Sequence, residues 1–412
     1  MTHVLVAGAG IVGVSTAIWL QRAGFDVTVV DRAGPASATS FGNAGVLAAG
    51  AFVPVTVPGL MRKVPGMLWS RDEPLFLRWS YLPRLLPWLR KYLSYARADH
   101  VEHYAASMSH ILADSYAQHK ALSEGTGAEK FLSDDDYCFG YSTRAAFEAD
   151  AKGWDVRKRH GVAFEVLEGE AYGAVDPVYG DHFEVVVRCK EHGRISDPGA
   201  YVRTLFDHFL ASGGKFFKAT IEDLVWQGES LRGLATNAGE ISGDIVVLAT
   251  GSWSKPLATK LGCDLPLEAE RGYHIELVNP SEYPKNPMMV ASAKAVITPM
   301  EGRIRMAGVV EFGGLTQDKS NAPIALLKRQ IADILPGITY DRIDDWVGHR
   351  PALANSLPVI GASPRFSNAY LALGHQHVGL TGGPKSGRII ADLIAGRSPN
   401  IDLLPFDPDQ YS

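Results

Sequence analysis

Gly8-Ala9-Gly10-Ile11-Val12-Gly13 sets three glycines at the spacing that lets a chain turn tightly, admit a phosphate to its backbone and pack a helix onto a strand. Such a loop aims free N–H groups and the positive end of the next helix at an anion. Gly8, Gly10, Ile11, Val12 and Gly13 therefore form a candidate pyrophosphate cradle. Asp31 stands 18 residues beyond Gly13, where a carboxylate accepts from a ribose hydroxyl. Arg32 beside it reads as a solvated arginine or as a partner for a ribose 2′-phosphate.

The elements around these residues give the spacing its meaning. Residues 4–7 are a short apolar run, 11–23 carry a helical pattern, and 27–30 are a second apolar run ending at Asp31. Strands apolar on both faces belong in a parallel sheet with helices on either side. Strand, glycines, helix, strand and acid in that order make a dinucleotide site, whereas the glycine pattern alone would be weak.

Two later segments approach a cofactor again. Residues 246–249 are a buried-type strand ending in Thr250-Gly251, and 371–373 lead through small residues from Gly374 to Gly383 into a helix start. Helix N-termini favour negative charge. A reduced flavin carries its charge around N1 and the C2 carbonyl, so a helix start aimed there stabilises the product of hydride transfer more than the reactant. Three cofactor segments spread over the chain suit an extended FAD better than NAD.

The rest of the chain mixes periods. Residues 296–298 and 303–309, joined by Met300-Glu301-Gly302, read as an antiparallel hairpin, and 182–188 as another strand. Segments 144–159 and 323–335 look helical, as does 201–210, while 215–221, 244–249 and 369–373 read as strands. The expected fold is α/β. A doubly wound, Rossmann-like FAD-binding domain, discontinuous over 1–50, 194–265 and 345–412, carries an antiparallel α+β substrate domain over 51–193 and 266–344.

A chain of 412 residues accommodates two such cores, and 46% hydrophobic with 21% charged residues is ordinary for a globular protein. A net charge of −5 gives no case for nucleic acid. Cys138, Cys189 and Cys263 lie far apart with no CxxC pair, which argues against a disulfide framework or thiolate metal site and fits a reducing compartment. No leader pattern opens the chain, and no window reaches about 18 uninterrupted apolar residues. The expected location is the cytoplasm, with peripheral contact to the cytoplasmic membrane as an option.

The chain resembles the family of D-amino acid oxidases, glycine and sarcosine oxidases and bacterial D-amino acid dehydrogenases over essentially its full length. The resemblance rests on GAGIVGVSTAIWL at 8–20 with Asp31, on Thr39-Ser40-Phe41-Gly42-Asn43-Ala44-Gly45, and on Ala249-Thr250-Gly251-Ser252-Trp253. Arg271-Gly272-Tyr273-His274, Arg350-Pro351 followed by Leu357-Pro358-Val359-Ile360-Gly361, and 374–380 complete it. It is strongest toward the bacterial dehydrogenase branch, including relatives acting on hydroxy-D-proline. The resemblance implies that Ser40, Asn43, Ala44 and Gly45 run beside the flavin ring and that Thr220 and Ile221 lie near the adenine. It further implies that Gly374, His377, Val378, Gly379, Leu380 and Thr381 line the pyrimidine end, and that Arg350 binds the substrate carboxylate. Asn355-Ser356 replaces the Asp-Gly or Asp-Ser of many relatives, so no acidic role is expected there. No cysteine falls in the family's covalent attachment segment, so the FAD is expected to be non-covalent.

The implied chemistry moves the Cα hydrogen of an amino acid to flavin N5 as hydride and leaves an imino acid that water hydrolyses. Arg350 suits the carboxylate because its planar fork matches two oxygens; the bland alternative is a surface ion pair with Asp344 or Asp345. Tyr273 and His274 are candidate pocket walls, Tyr273 being equally a core aromatic with a polar tip. His274, His375 or His377 could assist loss of the amine proton. Arg303 and Arg305 share one strand face, and at least one reads as surface charge. An oxygen-using oxidase of glycine, sarcosine or another secondary amine is the competing activity, and a non-catalytic redox sensor the competing class.

Residues 60–97 hold eight of the forty Lys and Arg against two acids, Asp72 and Glu73, and include Trp69, Trp79 and Trp88. Basic amphipathic helices with aromatics commonly lie in a membrane interface. The alternative is a lid over the substrate domain, which Pro74, Pro83 and Pro87 favour by interrupting any long helix. An electron acceptor such as a lipid-soluble quinone tips the expectation toward the membrane.

Overall fold

The computed structural model describes residues 1–62, 66, 73–228 and 230–412. Its dinucleotide sheet has six strands in the order Val359–Ala362, Ala369–Leu373, Ile245–Leu248, His3–Ala7, Asp26–Asp31 and Lys215–Lys218. All neighbours are parallel except the edge strand Val359–Ala362. Val4 through Ala7 are wholly buried, as a strand covered on both faces must be. Alternation divides the two covers. Val4 and Val6 share a core with the helices Ile11–Arg22, Pro198–Ala211 and Gly379–Ile394, whereas Leu5 and Ala7 meet Leu224, Leu231 and Leu234.

Those three leucines belong to an antiparallel meander, Ile221–Gln227, Ser230–Thr236 and Gly239–Ser242, which occupies a face where helices were expected. The strand read over 215–221 is accordingly two pieces. Lys215–Lys218 stays in the parallel sheet, and the chain leaves it at Thr220, whose N–H is taken by Asn237 Oδ1 at 2.9 Å.

The second sheet has nine strands. It runs Arg342–Leu353, Leu267–Val278, Arg303–Phe312, Ala295–Met300, Met288–Val290, Tyr137–Tyr141, Val185–Cys189 and Phe164–Glu168, with Leu75–Leu77 joined to Arg303–Phe312. The hairpin around Glu301-Gly302 is present, and helix Asn321–Ile334 packs beneath the sheet through Ile324, Leu327 and Ile331. The helix read over 144–159 breaks at Asp150 into Arg144–Ala149 and Ala151–Arg159. The Asp150 carboxylate accepts from the Tyr141 hydroxyl at 2.7 Å, which ties that break to the sheet.

Two features cut across the sequence partition. Helices Ala98–Leu112 and Ser115–Ser123 bury Met108, Ile111, Leu112 and Leu122 in the core of the six-stranded sheet. Strand Arg342–Leu353 pairs with Leu267–Val278 along its whole length, so residue 345 falls inside a strand. An amphipathic helix records that it has a buried face but not which sheet covers it.

Helix Leu82–Ser94 turns Leu85, Trp88 and Tyr92 inward onto Phe312 and Ala352. The Trp88 indole donates to the Ala352 carbonyl at 3.2 Å and stacks on Tyr92 with centroids 4.5 Å apart. Residues 63–65 and 67–72 of the basic stretch, Trp69 among them, lie outside the described residues. No helix among the described residues is long and apolar enough to cross a membrane.

Candidate active site

The fingerprint loop is built as its residue types require. Gly8 has φ +110°, and a Cβ there would lie 2.4 Å from the Ala249 carbonyl oxygen. A Cβ on Gly13 would lie 2.0 Å from the Gly8 carbonyl oxygen, so the helix packs onto the turn only without a side chain. Helix Ile11–Arg22 starts at Gly10, and the Ile11 N–H donates to Ser40 Oγ at 2.9 Å, which brings the 39–45 loop to the helix end. Asp31 accepts from the N–H groups of Ala9, Ala33 and Gly34 at 2.8–3.0 Å. A carboxylate offers about four lone-pair directions, which leaves one for a ribose hydroxyl. Arg32 is exposed and lies over the Trp253 ring at 3.9 Å.

The other segments expected at the cofactor gather at the same sheet end. Ala249 N–H donates to Ala7 O at 2.8 Å, which sets Thr250 and Gly251 beside the glycine loop. Ala219 N–H donates to Asp31 O at 3.0 Å, so Thr220 and Ile221 follow directly on the acid. Thr39 Oγ1 and Ser252 Oγ both donate to the His349 carbonyl, at 2.6 and 2.9 Å, and so lock the strand carrying Arg350 to two cofactor segments.

A cavity of about 1120 Å³ opens where these parts meet the nine-stranded sheet. Asn43, Ala44, Trp346, Arg350, His377 and Thr381 line it, and Leu82, Leu85 and Leu89 of helix Leu82–Ser94 cover it. Part of the basic stretch thus lines the cavity. Gln376 and Val378 bring the start of helix Gly379–Ile394 into the same wall. The buried Gln376 Nε2 has no hydrogen-bond partner among the described residues.

Arg350 faces this cavity, and its Nη1 has no hydrogen-bond partner there. The surface-pair alternative does not hold: Asp344 pairs with Arg342 at 3.1 Å and Asp345 with Lys319 at 2.6 Å. The other two predicted reacting residues stand differently. Tyr273 borders the cavity, but its hydroxyl donates to Glu311 at 2.7 Å and accepts from Arg271 Nη2 at 3.0 Å. His274 is not among the lining residues. It is buried behind Trp346, rings 5.1 Å apart and nearly parallel, with Nδ1 3.1 Å from the Gly42 carbonyl. Burial, reinforced by Arg305, pushes its pKa well below the usual histidine range, so the ring is neutral.

His375 is also buried, with Nε2 2.9 Å from Ser386 Oγ, and burial pushes its pKa down to about 4. The two strand arginines are not surface charge. Arg305 is wholly buried, pairs with Glu276 at 2.6 Å and donates to the carbonyls of Phe41 and Asn43. Arg303 joins Glu276 to Asp197. Together they hold the 41–43 loop at the cavity.

Glu270 and Trp346 were not marked by sequence reasoning, and Gln376 only as part of the 374–381 segment. Glu270 stands opposite Arg350 across the strand pair, and His377 Nε2 lies 3.2 Å from its Oε2. Burial pushes the Glu270 carboxyl up, but His377 and Arg350 outweigh this and hold it below the usual range. The alternation of Glu268, Glu270 and Gly272 was the available signal, and it resembles a solvated strand face.

The arrangement fits FAD. The glycine cradle closes when a Cβ is added, Asp31 retains acceptor capacity, and the cavity exceeds the needs of a small amino acid. Unpartnered donors on Gln376 and Arg350 sit beside a helix start.

Comparison with known proteins agrees. The DAO family model, described as FAD dependent oxidoreductase, matches residues 3–393. A D-amino-acid oxidase of Bradyrhizobium diazoefficiens is 38% identical, with 99% of each chain covered. A D-amino acid dehydrogenase of Rhizobium rhizogenes is 33% identical, again over 99% of each. The solved glycine oxidase of Geobacillus kaustophilus superposes with a TM-score of 0.77 at 18% identity, covering 99% of this chain and 98% of the other.

Proposed function

Because the chain belongs to the DAO family of FAD-dependent oxidoreductases, we propose that it oxidises a small D-amino acid at Cα, with D-proline and hydroxy-D-proline the favoured substrates. The observation that carries this reading is the Arg350 guanidinium, presented to the cavity without a partner on Nη1. Non-covalently bound FAD would supply the two-electron acceptor for the Cα hydrogen. Gly8, Gly10, Ile11, Asp31, Ser40 and Thr250 would hold it, with the 376–381 helix start against its ring. Arg350 clamps the substrate carboxylate in two hydrogen bonds and so fixes Cα in one orientation. The Leu82–Ser94 lid excludes water.

The electrons pass to a quinone or another respiratory acceptor, and the lid meets the membrane surface. Support comes from its outer side, where Arg84, Arg90 and Lys91 are exposed with Leu86, and Trp79 lies 58% exposed just before it. An oxygen-using oxidase is the second reading, favoured by the name of the 38% identical relative.

Anaerobic mixing with D- and L-amino acids, followed by flavin bleaching, tests the proposal. D-proline-type substrates should bleach fastest, and quinones or dyes should restore the colour faster than air. Fastest bleaching by an L-amino acid would overturn the substrate reading, and rapid peroxide formation in air would establish the oxidase.

A further inference from the structure

The wall that carries Arg350 also carries a buried carboxylate for which the reading above has no use. The strand register sets Glu270 directly opposite Arg350, and residues so opposed keep their Cβ atoms about 4.5–5.5 Å apart. Both line the cavity. No ion pair joins them directly among the described residues, and Arg350 Nη1 has no hydrogen-bond partner, although each charge favours the ionised form of the other. The guanidinium lies over Gly272 instead, where an added Cβ would stand 2.4 Å from Arg350 Cζ. The near neighbour of Glu270 is His377, Nε2 to Oε2 3.2 Å, with the imidazole side chain 38% exposed.

Leaving a carboxylate buried with only a half-exposed imidazole against it is costly. A cation and an anion shown separately on one wall complement a ligand that carries both charges a few ångströms apart. An amino acid zwitterion is such a ligand. Its carboxylate takes the Arg350 fork, and its ammonium falls beside Glu270.

We propose that Glu270 is the amino-group determinant of this site, binding the substrate ammonium while His377 positions the carboxylate. The proposal rests on Arg350 being the carboxylate clamp. A ligand with a carboxylate and no amine leaves Glu270 unmatched and is rejected.

The test compares two ligands on FAD-loaded protein. One is the D-amino acid that bleaches the wild-type flavin fastest, its Kd taken from saturation of the anaerobic bleaching rate. The other is the amine-free acid on the same skeleton (cyclopentanecarboxylate for D-proline), its Kd taken from perturbation of the flavin band. Glu270→Gln should weaken the amino acid at least tenfold and leave the amine-free acid bound as well or better. His377→Gln should shift the same ratio in the same direction by less. Equal weakening of both ligands would mark Glu270 as merely structural and overturn the proposal. Should Glu270→Gln lose the flavin, Glu270→Asp replaces it, with the amino acid alone expected to weaken. A wild-type protein that no amino acid bleaches ends the substrate reading itself, whereas a wild type that bleaches with an unchanged ratio in the variants ends only this inference.

Discussion

Arg350 and Gly272 make one device from two residues. Arg350→Ala removes a charge-assisted pair worth about 1.5–3 kcal/mol, which is roughly ten- to a hundredfold in KM. Arg350→Lys should recover only part, since a point charge cannot reproduce the fork. Gly272→Ala probes the same geometry without touching the charge. Its new Cβ meets the far end of the Arg350 side chain at 2.4 Å, and a flexible end can move where backbone cannot. We expect the melting temperature to hold and KM to rise with FAD still bound. Steady-state kinetics beside a melting curve checks this; unchanged KM would place the guanidinium away from the substrate.

Helix Leu82–Ser94 has a buried face and an exposed basic face, and the tasks proposed for them separate by mutation. Trp88 is 6% exposed and bonded to Ala352, two residues along the strand from Arg350. Trp88→Ala should cost about 3–5 kcal/mol, as for other buried aromatics, and raise KM by loosening the lid. The triple change Arg84→Gln, Arg90→Gln and Lys91→Gln should leave stability intact. It should abolish flotation with anionic liposomes, because each basic residue near such a surface contributes about 1 kcal/mol that salt screens. Wild-type protein that stays at the bottom of the gradient at low salt would leave the helix as a lid alone.

The whole molecule should lose stability in mild acid through its buried histidines. His119 lies between the Tyr201 hydroxyl and the Leu380 carbonyl, each 2.9 Å away, and burial pushes its pKa down to about 4. His375 stands at about 4 for the same reason. Unfolded histidine titrates near 6.5, so between those values the unfolded chain binds protons that the native state refuses. Stability is therefore full above about pH 6.5 and is lost as pH falls toward 4. His119→Gln should flatten the fall in melting temperature between neutral and acid pH, and an unchanged slope would remove His119 from the account. Protonation there also strains the start of helix Gly379–Ile394, since Leu380 is its second residue.

The cofactor cradle was legible in the sequence because it is local. Strand, glycine turn, helix, strand and acid fall within the first 31 residues, and each is specified by short-range sterics and periodicity. The hairpin at 300–303 was legible for the same reason. The place of Arg350 on the cavity wall was expected through its resemblance to a known motif. What tertiary structure alone decided were partners. Glu270 and Arg350 are 80 residues apart in the chain, and only strand register makes them neighbours. His274 reads as a pocket residue until Trp346, from the adjoining strand, covers its ring. At least one of Arg303 and Arg305 reads as surface charge until Glu276 and Asp197 arrive from other elements. Periodicity states that a residue has a buried side; which long-range pairing buries it depends on how the sheets close over one another, and no local pattern carries that information.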